Sequence, residues 1–223
     1  YKLITPGSSV LDLGCAPGAW LQVACQSLGP LKNGGHVVGI DLKKVKVPAD
    51  HCDSRVQTVF HEFPTKKPTQ KGFSVVLTGM CPLVSGISSR DAALSLELGM
   101  QALNVAVGGA ALSHSNNEIQ TEESNVGATT SSDDNGVLRR GGNLVIKLLE
   151  SEDVQEINQI CKPLFRKASL LRPKATRSSS REIYLICQGL HSQAKTSNED
   201  CTPNLEVESN ICEHCKRIAR RVN

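Results

Sequence analysis

Val10-Leu11-Asp12-Leu13-Gly14-Cys15-Ala16-Pro17-Gly18-Ala19-Trp20 decides how the rest of the chain is read. An apolar run carries an acid near its end, breaks into a Gly-Cys-Ala-Pro-Gly turn and resumes with helical spacing. That is a strand, a tight loop and a helix start. In an open α/β sheet, ligands bind in the crevice at the carboxyl ends of the strands. Gly14 and Gly18 carry no Cβ, so the loop backbone can approach a ligand closely. Asp12, at the strand's end, offers a carboxylate to a ligand's donors. A strand-to-helix turn that needs glycine only for geometry fits the same residues, and the turn alone does not separate the two.

Working outward, Ala19–Leu28 has helical spacing, and Gly29-Pro30 ends it. His36–Asp41 is a second strand that again ends in an acid. Strand, helix and strand in so short a span make a βαβ unit with a parallel pair. Arg55–Phe60 is a weaker third strand, and Phe73–Thr78 reads as a buried one. Ala92–Val107 is helical by period. Asn143–Leu149 is a strand carrying Lys147 in an apolar run, Glu152–Phe165 a helix, and Ala168–Leu171 and Glu182–Gln188 a closing pair of strands. The fold class predicted is α/β, Rossmann-like, with a mostly parallel sheet.

Composition bounds the rest. The 223 residues suit one domain with additions. The domain is expected over residues 1–190. Residues 113–135, rich in Ser, Thr, Asn, Asp and Glu, read as a disordered insert, and 191–223 as a disordered polar tail. Cys15, Cys25, Cys161 and Cys187 sit in apolar runs and read as buried free thiols of a reducing compartment. The lone Cys212-Glu213-His214-Cys215 is half of a zinc site at best, and no metal is expected. No run is long and apolar enough to cross a bilayer, so no membrane partner is expected. The chain starts at Tyr1 without Met, so targeting is not legible.

Three constellations carry chemistry. The first is the Gly-rich turn with its two acids. An acid ending the second strand of a βαβ unit, here Asp41, can bond the ribose hydroxyls of an adenosine ligand. The loop lacks the Gly-x-Gly-x-x-Gly spacing that brings backbone amides to a pyrophosphate, which disfavours NAD. An adenosine ligand without phosphates fits better, and S-adenosylmethionine is the commonest. The second is Lys147, whose burial would lower its pKa and make it a base or steering group; a strand-end lysine reaching to water is the simpler alternative. The third is Lys162–Arg181, with seven basic residues and no acid in a chain of net charge +3, so the remainder is net negative. A localised basic segment is the footprint of a phosphate backbone. Arg172, Lys174, Arg177 and Arg181 are the candidate RNA contacts, with Ser178 to Ser180 as further phosphate donors.

Together these residues resemble the FtsJ/RrmJ-type ribosomal RNA 2′-O-methyltransferases. Asp12-Leu13-Gly14-Cys15-Ala16-Pro17-Gly18-Ala19-Trp20 is similar to that family's Asp-Leu-Gly-Ala-Ala-Pro-Gly-Gly-Trp. Met80-Cys81-Pro82 with Ser85-Gly86 resembles its Met-Ala-Pro-Asn-x-Ser-Gly. Leu144–Lys147 resembles its lysine strand, and the segment from Pro173-Lys174 to Glu182-Ile183-Tyr184 its Lys-Pro…Ser-x-Glu-x-Tyr. The likeness runs from Lys2 to about Gly189, the polar insert apart.

The resemblance implies a class I methyltransferase fold with its last strand antiparallel and helices on both faces. It places S-adenosylmethionine over Asp12, Gly14, Pro17 and Gly18, with Trp20 nearby and Asp41 at its ribose. Of the family's Lys-Asp-Lys-Glu tetrad, the second lysine maps to Lys147 and the glutamate to Glu182, as the catalytic pair. The first lysine belongs to a helix upstream of Tyr1–Gly7 and is absent from this chain. The aspartate's position is held by Gly79, and the acid expected after the third strand is unclear, with His61 or Glu62 in that region. The implied partner is ribosomal RNA of the large subunit, the implied enzyme a monomer. The implied compartment is intracellular: cytoplasm or an organelle such as a mitochondrion or chloroplast. Gly79 also supports a different class, an RNA-binding or ribosome-assembly module that keeps the fold without turnover. An NAD-dependent oxidoreductase is a third class and lacks its loop.

Overall fold

The computed structural model describes residues 1–47, 51–60, 72–109, 111–112 and 136–191. Among these residues, seven strands form one sheet: β1 (Ser9–Leu13), β2 (His36–Asp41), β3 (Val56–Phe60), β4 (Phe73–Thr78), β5 (Leu138–Leu149), β6 (Phe165–Leu171) and β7 (Glu182–Leu190). Helix α1 (Ala19–Ser27) follows β1, α2 (Ser88–Val107) follows β4, and α3 (Val154–Leu164) joins β5 to β6. The strand order is β3-β2-β1-β4-β5-β7-β6. Strands β3 to β5 pair in parallel across β1. Strand β7 runs antiparallel to both β5 and β6. The mostly parallel sheet and the reversed last strand are as expected.

Strand β4 is buried at every position, which a parallel strand covered on both faces requires. Side chains alternate between faces, and two cores result. Under α1 lie Val10, Leu21, Ala24, Val37, Val75, Leu77 and Val145. Under α2 and α3 lie Leu11, Leu13, Val76, Leu103, Leu144, Ile146, Leu148 and Ile157. With few aromatic residues, both cores are aliphatic in the main. Cys15, Cys25, Cys161 and Cys187 are buried free thiols, as read.

Three boundaries differ from the sequence reading by three residues or more. Helix α2 begins at Ser88, ahead of Ala92, because its first turn is polar and carries no side-chain cap to announce it. Strand β5 begins at Leu138, not Asn143. Phe73 pairs with Leu138 and Val75 with Asn143, so Arg139–Gly142 bulge out opposite Ser74, where Gly141 takes a left-handed φ of 74°. Strand β6 begins at Phe165, directly where α3 ends, with no turn residues between them. The insert read at 113–135 lies outside the described residues, as does the tail after His191.

Candidate active site

Alternation assembles the site. Val10, Val75, Leu77 and Val145 all face α1. Two residues further along β1 and β5 stand Asp12 and Lys147, on the same face at the carboxyl rim. Gly79 continues the row from β4: its amide donates to Leu13 O at 3.1 Å, extending the β1–β4 ladder. On β7, Tyr184 lies opposite Lys147 in register, and Glu182 opposite Leu149. Tyr184 packs on the α1-side core, so Glu182, two residues away, shares its face. Asp12, Gly79, Lys147 and Glu182 thus form one row across four adjacent strands.

The loop after β1 is held in three ways. The amides of Gly14 and Cys15 donate to Ile40 O at 2.8 and 3.2 Å. Asp41 accepts from Ala16 N and from Lys43 N, each at 2.8 Å. Gly14 has φ 73°, and a Cβ there would lie 2.6 Å from Met80 Cγ and 3.1 Å from Met80 N and Cα. The loop after β4 therefore comes so close that only glycine fits. The Ala16–Pro17 peptide is cis. Asp41 spends part of its carboxylate on bracing this loop and keeps lone pairs free.

Asp12 is the electrostatic centre. It is wholly buried, and neither carboxylate oxygen has a hydrogen-bond partner among the described residues. Its pKa is raised to about 7, by burial first and by Asp41's charge second, with Lys147 opposing. Buried polar atoms without partners are rare and call for an explanation; a cationic or donor ligand over the loop supplies one. Burial, with Asp12 and Asp41 behind it, pushes the Cys15 thiol up to about 12, so it stays protonated.

Further along the row, Lys147 Nζ stands 3.9 Å from Glu182 Oε1. The rings of Trp20 and Tyr184 meet at 6.2 Å between centroids, tilted by 31°, and wall the α1 side of the pair. Burial, then Glu182, raises the Tyr184 hydroxyl's pKa. A Cβ at Gly79 would find Gly14 O at 3.7 Å and Trp20 ring atoms at 3.9 Å, ordinary contacts. Nothing steric demands glycine there, so the missing carboxylate is a chemical difference and not a packing one.

Sequence reasoning missed Asp91. Buried in the first turn of α2, it accepts from Ser85 N at 2.9 Å, Ser85 Oγ at 2.7 Å and Gly86 N at 3.2 Å. These bonds, the Ser85 hydroxyl's foremost, hold its carboxyl below the usual range. Its signal was an acid in the first helical turn after a Ser-Gly turn. Tyr184 was also missed as a site residue; its two-residue offset from Glu182 was the clue.

The basic segment divides. Arg181 donates to Ser88 O at 3.3 Å and Glu150 O at 2.6 Å, tying the start of α2 to the strand ends that carry Lys147 and Glu182. Arg172 pairs with Glu150 at 2.7 Å and donates to Ser180 O at 2.5 Å. Lys174 and Arg177 are exposed. Asp12, Gly14, Gly18, Trp20, Asp41, Lys147 and Glu182 share the carboxyl rim, as the sequence grouped them.

A cavity of about 380 Å³ lies by the opposite rim, where Cys25, His51, Cys52 and Arg55 line it. Arg55 is spent there on Asp53 and on the carbonyls of Gly29, Pro30 and Gly34, and the pairing holds Asp53 near pKa 2. It is a structural knot remote from the row. Among the described residues, no group of three or more His, Cys, Asp or Glu is placed to hold a metal ion. None of the described helices is long and apolar enough to cross a membrane.

The family model for FtsJ-like methyltransferases matches residues 1–190. The ribosomal RNA large subunit methyltransferase E of Desulfatibacillum aliphaticivorans is 32% identical over 188 residues, covering 83% of this chain and 76% of that protein. Its namesake in Syntrophobacter fumaroxidans is 33% identical over 189 residues, covering 83% and 80%. Among solved structures, a Plasmodium falciparum protein described as a ribosomal RNA methyltransferase superposes with a TM-score of 0.58 at 19% identity, covering 84% of this chain and 88% of that one; this bears on the fold alone.

Proposed function

Because the chain belongs to the FtsJ-like methyltransferase family, we propose that it methylates a ribose 2′-hydroxyl of large-subunit ribosomal RNA, with S-adenosylmethionine as donor. The observation that carries this reading is the row itself: Lys147 paired with Glu182 at 3.9 Å, on the face and rim where Asp12 presents two unpartnered carboxylate oxygens.

The residues present fit the donor. S-adenosylmethionine carries cationic groups and supplies an electrophilic methyl on a sulfonium. Asp12's orphaned oxygens match a cationic donor, and a charge there would favour the ionised carboxylate that burial now opposes. The Gly14–Gly18 loop offers close backbone approach, and Asp41's remaining lone pairs suit ribose hydroxyls. Trp20 adds an apolar wall.

Transfer forms an O–C bond, breaks an S–C bond and releases the hydroxyl proton. Lys147 holds the 2′-oxygen in line through Nζ and receives or steers that proton; Glu182 fixes the direction of Nζ. Positioning of this kind supplies much of such a barrier reduction, and proton transfer adds about 10²- to 10⁴-fold. The position of the tetrad's aspartate is Gly79, so no carboxylate stands there beside Lys147, and Glu182 is its carboxylate partner. Lys174 and Arg177 grip phosphate from the same rim, since the β6–β7 connection opens there. Tritiated methyl transfer to large-subunit rRNA tests the reading, with Lys147→Ala as control. Incorporation that depends on Lys147 is expected; equal incorporation by the variant overturns the mechanism.

A further inference from the structure

The loop between β4 and α2 exposes what a protein usually hides. Leu83 is 95% exposed, Val84 71% and Ile87 57%, three large aliphatic side chains within five residues. Single exposed apolar residues need no explanation, but a cluster on a site's rim does. The loop is also built, not slack. Asp91 accepts from Ser85 N, Ser85 Oγ and Gly86 N, and Ile87 N donates to Ser85 Oγ at 3.2 Å. Arg181 fastens Ser88 to Glu150 O. At its other end Met80, three residues before Leu83, lies against the β1 loop, where a Cβ on Gly14 would stand 2.6 Å from Met80 Cγ. The patch is therefore a fixed apolar shelf beside the acceptor side of the row.

We propose that Leu83, Val84 and Ile87 form the platform on which the base of the acceptor nucleotide lies while its ribose meets Lys147. This rests on the reading above. Two observations choose a nucleobase as the occupant. The loop that carries the shelf is tied through Arg181 to the strand ends that carry the Lys147–Glu182 pair, so a ribose presented to that pair brings its base toward the shelf. Exposed cations lie on the two elements that Arg181 joins at Ser88: Arg90 on the first turn of α2, and Lys174 and Arg177 on the β6–β7 connection. An apolar patch on elements that also carry exposed cations suits single-stranded nucleic acid, whose bases offer flat apolar faces between charged linkages. Aliphatic side chains serve as such faces where bases leave the stack. A platform of this kind reads the presence of a base and not its identity, because every base has such a face.

The test uses the full chain and two labelled probes: a single-stranded RNA of mixed sequence, about 12 nucleotides long, and a strand of equal length whose central nucleotides are abasic. The chain is expected to bind the base-bearing strand about fivefold more tightly. Leu83→Ser combined with Val84→Ser should bring the two affinities together while leaving the melting temperature and the salt slope unchanged, since both side chains are exposed. Lys174→Ala with Arg177→Ala should weaken both strands alike and reduce the salt slope by about 2. A double serine variant that keeps the preference overturns the platform. So does a parent chain that binds both strands equally, which leaves the RNA reading standing. Self-association that the serine pair abolishes would make a second copy of the chain the occupant and overturn it too. A parent chain that binds neither strand removes the RNA reading along with the platform.

Discussion

The two halves of the site are built by opposite means. The donor side is local: one strand, one loop and one helix start, from Val10 to Trp20, closed by a single distant acid, Asp41. The acceptor side is assembled across the sheet, from Gly79 after β4, Lys147 on β5 and Glu182 on β7, with Asp91 and Arg181 bracing from α2 and the β6–β7 connection. The local half closely resembles the family motif, and the assembled half departs at Gly79 from the aspartate that the resemblance implies. A contiguous motif survives or fails as one piece. A row drawn from separate strands can lose one member while its neighbours stay in register.

The most direct way to break this contrast is Lys147→Ala. Methyl transfer should fall by about 100-fold or more, while cofactor affinity, measured by calorimetry, stays within about twofold, because Lys147 belongs to the acceptor half. An equal loss in both would merge the halves into one.

Asp12→Asn attacks the donor half. Cofactor affinity should drop by about tenfold or more, as an ionised partner is lost. The pH dependence sharpens the point. The folded chain holds the Asp12 proton until about pH 7, whereas the unfolded chain releases it near pH 4. Between these values the native state binds the extra proton, so stability should fall as pH rises through that window and level off above it. Melting temperatures taken at pH 5 and pH 8 should show the slope in the parent and lose it in Asp12→Asn. A flat parent profile would mean that Asp12 is already paired.

Gly79→Asp restores the missing member of the row. Since a Cβ there meets only ordinary contacts, the variant should fold normally. A carboxylate beside Lys147 should raise the single-turnover rate by about threefold to tenfold, with Gly79→Ala unchanged. No gain would show that Lys147 and Glu182 suffice together.

The smallest effect is expected for Arg181→Ala. Loss of its bonds to Ser88 O and Glu150 O should cost about 1–2 kcal/mol of stability in chemical denaturation. It should weaken RNA binding less than Lys174→Ala or Arg177→Ala does. If it weakens RNA binding more than either, Arg181 serves the ligand and not the frame.

The same contrast explains how much was legible beforehand. Strand β1, helix α1, β2 and β4 are written in short-range patterns: alternation, a glycine turn, a Gly-Pro stop. The placing of Lys147 beside Glu182 was not so written, because it depends on β7 inserting between β5 and β6, and only the family resemblance supplied it. The start of β5 was hidden because Arg139–Gly142 bulge out and carry no alternation. Arg172 and Arg181 were read as ligand contacts from charge density, which cannot tell a cation facing solvent from one bonded to a carbonyl. Asp91 escaped notice because a single acid in a helix's first turn is ordinary; only its three accepted bonds distinguish it.

The reversed direction of β7 decides on which side the chain leaves the sheet. Strand β6 ends and β7 begins at the rim that carries the chemistry. Strand β7 then runs back, so that Leu190 pairs with Phe165 and His191 N reaches Leu164 O at 2.9 Å. The backbone thus leaves the sheet on the side facing away from Lys147. An affinity handle, a fluorophore or a surface tether joined after His191 would hold the molecule by its back, with the catalytic rim and its apolar shelf left open to a large RNA.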